Sequence, residues 1–392
     1  MKKILIIATT FVILSCNWPF NTNTAKDDVF ELTISHNIQR VMPSAHVILS
    51  WSEITVENFR AYIVERMFQT DTVWTSVAEL SNEFLTSYTD TIWNDDDIHY
   101  RIGIIDIDDN ILWANGSTII PRTTSAIIPT EFLTIQPAFD ADLIDDGDTI
   151  IVNPGTYKET LGIAGKDVLI ISTDGYKRTI LEPTPTNDPN EKKRVLYLAS
   201  GVVSGFTIRK GAPSHGKPGG GIFVGQSGTV QNCWIYRNKS QTGSGLYITS
   251  NGNAYNNNII NNNVESDGRA LYISDAHGEI INNTIVNNDI YINGNCDGLV
   301  LRNNIIYNSS PDISFSEQAR LSDIIIDYSI LDNNIDIGSN NIVANPGLLD
   351  LLDFELSPTS PGIDAGHPDD KYNDIDGSRN NIGSLGGPFA RL

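Results

Sequence analysis

Residues 222–262 read IFVGQSGTVQNCWIYRNKSQTGSGLYITSNGNAYNNNIINN, and two elements recur in this stretch. Ile222-Phe223-Val224 returns as Leu246-Tyr247-Ile248, and beyond the stretch as Leu196-Tyr197-Leu198, Leu271-Tyr272-Ile273 and Ile290-Tyr291-Ile292. Ile235 and Ile259 belong to a second series with Ile208, Ile285, Ile305 and Ile330, at steps of 27, 24, 26, 20 and 25 residues. Steps of that length suit one solenoid coil made of three short strands. Three residues after five of those isoleucines comes an asparagine, Asn238, Asn262, Asn288, Asn308 and Asn333. Asparagines stacked coil on coil hydrogen-bond one another and tolerate left-handed turns, so this series predicts a structural ladder. The β-branched triplets, the short period and the ladder together predict an all-β chain dominated by a right-handed parallel β-helix.

Working outward, the segment from Phe132 contains a strand, a Pro154-Gly155 turn and a second strand ending near Ile171. It resembles the opening coil of secreted β-helix proteins, where such a segment caps the solenoid. The tail from Asn341 to Pro388, with SPGIDAG and YNDIDGSRNNIGSLGGP, resembles the closing segment of surface β-helix proteins from environmental bacteria. Residues 132–392 are therefore expected to form one domain of the pectate lyase-like class. That resemblance implies a fold and little chemistry, because β-helices host lyases, hydrolases, adhesins and scaffolds.

Between residues 28 and 124, short β-rich runs alternate with polar turns at the spacing of a β-sandwich. Leu49-x-Trp51, Tyr62-x-Val64-Glu65-Arg66 and Tyr100-Arg101-Ile102 resemble strands of a fibronectin type III module. In that fold Trp51 and Tyr100 are core aromatics. Residues 125–131 read as a linker between the two domains.

Lys2 and Lys3 precede an apolar run from Ile4 to Leu14, the layout of an export signal and too short to span a bilayer. Ile13-Leu14-Ser15-Cys16 resembles the lipobox of bacterial lipoproteins, which implies signal removal at residues 1–16, acylation of Cys16 and a tether over residues 17–27. The partner implied at that end is a membrane, and the compartment the outer membrane or cell surface. The formal charge of −22 opposes broad nucleic-acid binding. Cys233 and Cys296 lie more than one coil apart, beyond disulfide reach at about 4.8 Å per coil, so two unbridged thiols are expected.

Strand alternation turns the middle residue of each triplet outward, so Tyr197, Phe223, Tyr247, Tyr272 and Tyr291 are expected to form a rising stripe, a candidate platform for sugar rings. Cover by a loop, or a purely structural role, is the competing reading. Eight Lys or Arg and no Asp or Glu occur between Lys192 and Val264. Lys210 and Arg237 occupy equivalent positions on adjacent coils, and two cations that close favour a bridging anion such as a uronate, sulfate or phosphate. A solvated face, or docking against acidic segments elsewhere, is the alternative. The Gly- and Pro-rich loop Lys210–Gly221 is expected to project beside the stripe, carrying His215 and Lys217 as candidates for proton transfer or anion contact, with Lys239 nearby. Asp374 and Asp376, before Gly377, are weak candidates for calcium; otherwise no cofactor is expected.

Hydrolases and calcium-dependent lyases on this fold need carboxylates converging on one face. From Arg194 to Leu301 the acidic residues are Glu265, Asp267, Asp275, Glu279, Asp289 and Asp297, at unmatched repeat positions. The functional expectation is thus a monomeric, lipid-anchored surface protein that binds polysaccharide without catalysis. A metal-free lyase on uronate polymers and an adhesin-like or structural envelope protein are the alternatives.

Overall fold

A computed structural model describes residues 34–41, 44–52, 58–92, 97–114, 118–120, 124–186, 193–214, 216–264, 269–309, 313–333 and 338–390. Two compact units meet at residues 123/124. Cys16, with the expected signal and tether, and His215 lie outside the described residues.

The first unit holds two antiparallel sheets. Strands Ile34–Val41, Ser44–Trp51 and Ser87–Ile92 form one, and Thr75–Leu80, Phe59–Phe68, Ile98–Asp106, Ile111–Trp113 and Thr118–Ile120 form the other. Val47, Leu49, Trp51, Tyr62, Val64, Tyr100 and Ile102 are buried. Trp51 and Tyr62 rings pack 5.4 Å apart. Tyr100 is held further by its hydroxyl, which donates to Asp90 at 2.6 Å, while Arg66 donates to the same carboxylate at 2.8 Å. Burial and that hydrogen bond push the phenol pKa up, so Tyr100 stays neutral.

The second unit is a right-handed parallel β-helix of about eight turns. Its first sheet runs from Ser125–Ile128 through Thr149–Val152, Leu169–Ser172 and six further strands to Ile325–Asp327. The second runs from Gly155–Lys158 to Ile342–Val343, and the third from Leu161–Ile163 to Ile313–Phe315. Each coil sends inward aliphatics from all three strands, and in the first sheet Ile150, Ile170, Val203, Val230, Ala254, Ile280, Leu301 and Ile326 fill one column of the core at 0% exposure. Residues 125–131 are no linker. Ala126 and Ile128 are fully buried, and Ser125–Ile128 pairs in parallel with Thr149–Val152 as the first strand of the first sheet. The apolar Ala126-Ile127-Ile128 run supplies the alternation a strand needs. A short helix, Ile135–Asp140, then covers the open end, with Glu159 accepting from the Ile135 and Gln136 amides at 2.9 and 3.0 Å.

The isoleucine series is in register at Ile208, Ile235, Ile259 and Ile285, but the next rungs are Ile306 and Leu331 rather than Ile305 and Ile330. Both members of each pair are apolar. The outward members, Ile305 and Ile330, are buried against Ile382 of the C-terminal segment instead of facing water. The asparagine ladder shifts accordingly. Asn238 donates to Asn262 at 3.1 Å and Asn262 to Asn288 at 3.0 Å, all buried. Ser309 takes the next rung, its hydroxyl bonding the Asn288 carbonyl. Asn308 is exposed at φ 55°, a turn residue, and Asn333 is exposed too.

A second asparagine ladder stands at the turn between the first and second sheets. Asn257 donates to Asn283 at 3.0 Å and Asn283 to Asn304 at 3.1 Å. The residue before each rung, Asn256, Asn282 and Asn303, adopts φ of 53–55°. These outer asparagines fasten the C-terminal segment. Asn256 donates to the Ser384 and Gly386 carbonyls, Asn282 to the Asn381 and Gly383 carbonyls, and Asn303 accepts from the His367 amide. Cys233 and Cys296 are buried thiols with no disulfide between them.

Candidate functional site

Register along the third sheet places Gly162, Tyr197, Phe223, Tyr247, Tyr272, Tyr291 and Ser314 in one outward line. The five aromatic rings form the expected stripe. Centroids are 5.1, 5.1, 5.5 and 5.1 Å apart from Tyr197 to Tyr291, and the first three pairs are within 18° of parallel. This geometry corrects one part of the expectation. Rings stacked along the solenoid axis turn their faces to one another and their edges to solvent, so the middle of the stripe is no flat platform. Each stacked pair contributes about 0.5–1.5 kcal/mol, a stabilising column in its own right. Its hydroxyls, however, line the surface at Tyr197, Tyr247, Tyr272 and Tyr291, with a gap at Phe223.

The ends of the column differ. Beside Tyr291, Arg269 of the preceding coil lies 5.8 Å from the ring and is ion-paired to Asp289 at 3.0 Å. At the other end the line reaches Gly162, where an added Cβ would meet nothing within 4 Å. Tyr197, 37% exposed, therefore has an open face. Gln136 clamps the Gly162 peptide below it, accepting from the Gly162 amide at 2.7 Å and donating to its carbonyl at 3.1 Å. Together these groups line a recess of about 700 Å³ with Lys193, Arg194 and Lys217. No carboxylate lines it among the described residues. Arg194 donates to the Pro218 carbonyl at 2.7 Å, and its guanidinium sits 5.2 Å from the Phe223 ring and 5.9 Å from Tyr197, beside the column. Burial lowers its pKa, the sign of a cation held partly out of water.

The other basic candidates are placed differently. Lys210 and Arg237 are on adjacent coils as expected, at φ of 65° and 54° in equivalent turns after the second sheet. Their charge is not gathered beside the aromatic stripe. Glu182, contributed by the preceding coil and 5% exposed, accepts from Arg209 at 2.8 Å and pairs with Lys210 at 2.9 Å. An acidic residue outside the carboxylate-free stretch thus answers two of its cations. Arg237 is exposed, 5.6 Å from the Tyr236 ring. Lys239 is exposed on a two-strand ladder, 239–240 with 263–264, and is not part of the recess. Nor does the whole Lys210–Gly221 loop project. Gly219, Gly220 and Gly221 donate to the Thr242, Gly243 and Ser244 carbonyls of the next coil, leaving Lys217 exposed at the recess.

For Glu182, burial alone would raise the carboxyl pKa, but Lys210 and Arg209 outweigh it and hold the group below its usual value. A lowered folded value means stability that is present above the ordinary carboxylate range and lost as pH falls through the folded value. Glu182→Gln is therefore expected to cost about 1–3 kcal/mol at neutral pH. The difference from wild type should close at strongly acidic pH. Urea midpoints at the two pH values check this, and an equal deficit at both would refute it.

Asp374 is fully engaged in structure: it accepts from the Asn381 amide at 3.1 Å, the Asn381 side chain at 2.6 Å and the Gly387 amide at 2.6 Å. Asp376 accepts from Ser378 instead. No group of three His, Cys, Asp or Glu among the described residues could hold a metal ion. A second recess, of about 460 Å³, lies between the C-terminal segment and the first coils; its lining mixes Lys177, paired with Asp353, with Asp174 and Glu355, so its charge is not of one sign.

Sequence reasoning missed Gly162, Gln136 and Arg194. A signal existed, since Leu161-Gly162-Ile163 is one more triplet with glycine at its centre.

No family model matches the chain, and no curated protein matches it. Among solved structures it is similar to pectate lyase Pel3 from Pectobacterium carotovorum, 14% identical over 79% of this chain and 83% of that one, with a TM-score of 0.19. It is also similar to pectate lyase PelI from Erwinia chrysanthemi in complex with tetragalacturonic acid, 12% identical over 80% and 88%, TM-score 0.19. A β-1,2-glucanase from Parabacteroides distasonis is 20% identical over 23% of this chain and 13% of that one, TM-score 0.16. The chain thus spans about an eighth of the glucanase's length. Likenesses of this size leave the site to be argued from its own residues.

Proposed function

We propose that the β-helix binds polysaccharide along its third sheet, without catalysis, as a lipid-anchored protein of the bacterial outer membrane or cell surface. The observation that carries this reading is the aromatic column flanked by Arg194 at one end and Arg269 at the other. Tyr197, Tyr247, Tyr272 and Tyr291 offer phenol hydroxyls and ring edges at a spacing of 5.1–5.5 Å between neighbouring rings, comparable to one pyranose residue of an extended chain. A linear glycan laid along the column meets a phenol donor and acceptor at every step but the Phe223 rung, which offers a ring edge alone. Its salt dependence would come from Arg194 rather than from Arg269, which is paired with Asp289.

Acylation at Cys16 would tether this surface, and the first unit would act as the spacer. Its three- and five-stranded antiparallel sheets, with Trp51 and Tyr100 buried, support a fibronectin type III-like reading of residues 28–124. The membrane partner is then the acylated N-terminus, with the acidic body held off anionic lipid and a monomer sufficient for binding.

The test is affinity electrophoresis of the full chain through gels containing alginate, hyaluronate, chondroitin sulfate, polygalacturonate or dextran. Wild type is expected to be retarded by at least one polymer. The double variant Tyr247→Ala/Tyr272→Ala is expected to bind that polymer about tenfold more weakly, about 1.4 kcal/mol. Unchanged retardation of the double variant would end the proposal.

A further inference from the structure

The aromatic column stops at Tyr197 although the sheet does not. Leu161–Ile163 continues the third sheet by one strand, in parallel register with Leu196–Leu198, and the position beneath the Tyr197 ring is Gly162. Every later coil through Tyr291 fills this position with a ring. At Gly162 a Cβ would point into open space. The backbone there is ordinary strand, so nothing in its conformation demands glycine. What glycine provides is an empty rung: one open aromatic face, walled on one side by the Gln136 amide that holds the peptide edge, with Arg194 and Lys217 at the same recess.

We infer that this empty rung is a subsite for a single anionic sugar residue, a uronate or sulfated pyranose, stacked on the open face of Tyr197 in place of the missing ring. The inference rests on the polysaccharide-binding reading above and specifies where one residue of the chain is gripped and by what chemistry. Three observations carry it. A pyranose presents an apolar C–H face of about the size of an aromatic ring, and an aromatic face open to solvent at one side and stacked at the other is its ordinary partner. The recess, about 700 Å³, falls within the range of about 300–1,000 Å³ for small-molecule sites. Its charge is of one sign: Arg194 and Lys217 line it, and no carboxylate does among the described residues, in a chain of net charge −22.

Arg194 is also pre-positioned. Its bond to the Pro218 carbonyl and its place beside Phe223 and Tyr197 fix the guanidinium before any ligand arrives, leaving further N–H groups to donate to an anionic oxygen. A planar, fixed donor set suits a carboxylate or sulfate. By contrast, Arg269 at the far end of the column is neutralised by Asp289, so the two ends are not equivalent and the subsite gives the column a polarity.

The experiment fills the rung. Gly162→Phe adds a ring where open space exists, in the register of the existing stack, and is expected to fold with a melting temperature at or above wild type. It should lose at least tenfold in affinity for the anionic polymer that retards wild type in the same gels. Lys217→Gln, at an exposed side chain, should weaken binding of the same polymer about threefold and flatten its dependence on salt. Retained affinity in folded Gly162→Phe would overturn the subsite while leaving polysaccharide binding along the column intact. Binding of neutral dextran equal to that of the acidic polymers would overturn its anionic character. Absence of retardation of wild type by every polymer would overturn both readings together. If Gly162→Phe proves unstable, Tyr197→Leu with Lys217→Gln tests the subsite from the other side of the recess. Loss of the open aromatic face must then abolish the preference for acidic polymers, and a retained preference would overturn the subsite.

Discussion

Asn283→Leu is expected to lower the stability of the β-helix by about 2–4 kcal/mol. Asn283 is fully buried at the turn between the first and second sheets. Its carbonyl oxygen accepts from both the amide and the side chain of Asn257, at 2.9 and 3.0 Å. Its side-chain nitrogen donates to the Ala254 carbonyl at 2.9 Å and to Asn304 at 3.1 Å. Leucine preserves the volume and removes all of these. The Asn257 backbone amide then stays buried without a partner, at about 1–3 kcal/mol, and the Asn257 side chain keeps only its bond to the Val230 carbonyl. At roughly 2–4 °C per kcal/mol for a unit of this size, thermal melting by circular dichroism should move down by roughly 10 °C. Asn308→Gly provides the contrast. Asn308 holds an exposed turn at φ 55°, which glycine adopts without strain, so its replacement should shift the melt by no more than about 0.5 kcal/mol equivalent. Equal melts for wild type and Asn283→Leu would show that the ladder is decoration.

These two asparagines also mark what could be read without coordinates and what could not. The period, the triplets and the stacked asparagines were enough to identify coils of three strands, because each repeat presents the same inward aliphatics. One-residue register was not legible where two apolar residues stand side by side, at Ile305-Ile306 and Ile330-Leu331. Alternation normally decides such a pair by sending the polar member to water. Here the C-terminal segment buries the outward member as well, so the hydrophobic pattern carries no information about direction. The same slip misplaced Asn308 and hid the second ladder, whose rungs alternate with left-handed asparagines in runs such as Tyr255-Asn256-Asn257-Asn258. Segment 125–131 is illegible in the sequence for a related reason: Pro121 and Pro129 look like linker punctuation, while the strand Ser125–Ile128 is defined only by its pairing with Thr149–Val152.

At the site, composition found the aromatic stripe and the basic stretch but not their relation. Counting charges along the chain cannot show that Glu182, which precedes the stretch, lies one coil from Arg209 and Lys210 and packs against them. Nor can it show that Arg194 and Lys217, separated by 23 positions of sequence, share a recess with Gly162. A solenoid brings together residues about one coil apart, and loops of unequal length make that distance irregular. The absence of a side chain at Gly162 is also the kind of feature that residue-by-residue searching for chemistry passes over.

Gly220→Ala should be nearly as damaging as loss of a ladder asparagine, for steric reasons alone, and should also reach the sugar site. An added Cβ at Gly220 would stand 2.3 Å from the Ser244 carbonyl oxygen and 2.4 Å from that of Lys239. Neither carbonyl is at the end of a flexible side chain. The peptide that carries the Ser244 carbonyl is bonded through the Gly245 amide to Ala270, and Lys239 is held through its own amide to Gly211, so both residues are pinned between coils. Relief must come from moving the Gly219–Gly221 strip away, which breaks its bonds to the Thr242, Gly243 and Ser244 carbonyls and costs about 3 kcal/mol, the upper part of the overpacking range. Pro218, whose carbonyl holds Arg194, and Lys217 are next in the chain and would move with it. Hydrogen exchange should therefore show lost protection at the 219–221 amides, and gel retardation by acidic polymers should weaken in the same variant. Gly162→Ala is the matched comparison, because its Cβ meets nothing and a lone methyl is too small to occupy the rung. Wild-type exchange at 219–221 in Gly220→Ala would mean that the strip has room the carbonyl positions deny. Lost protection without weakened binding would separate the recess from the strip that frames it, and leave Arg194 held by its place beside Phe223 alone.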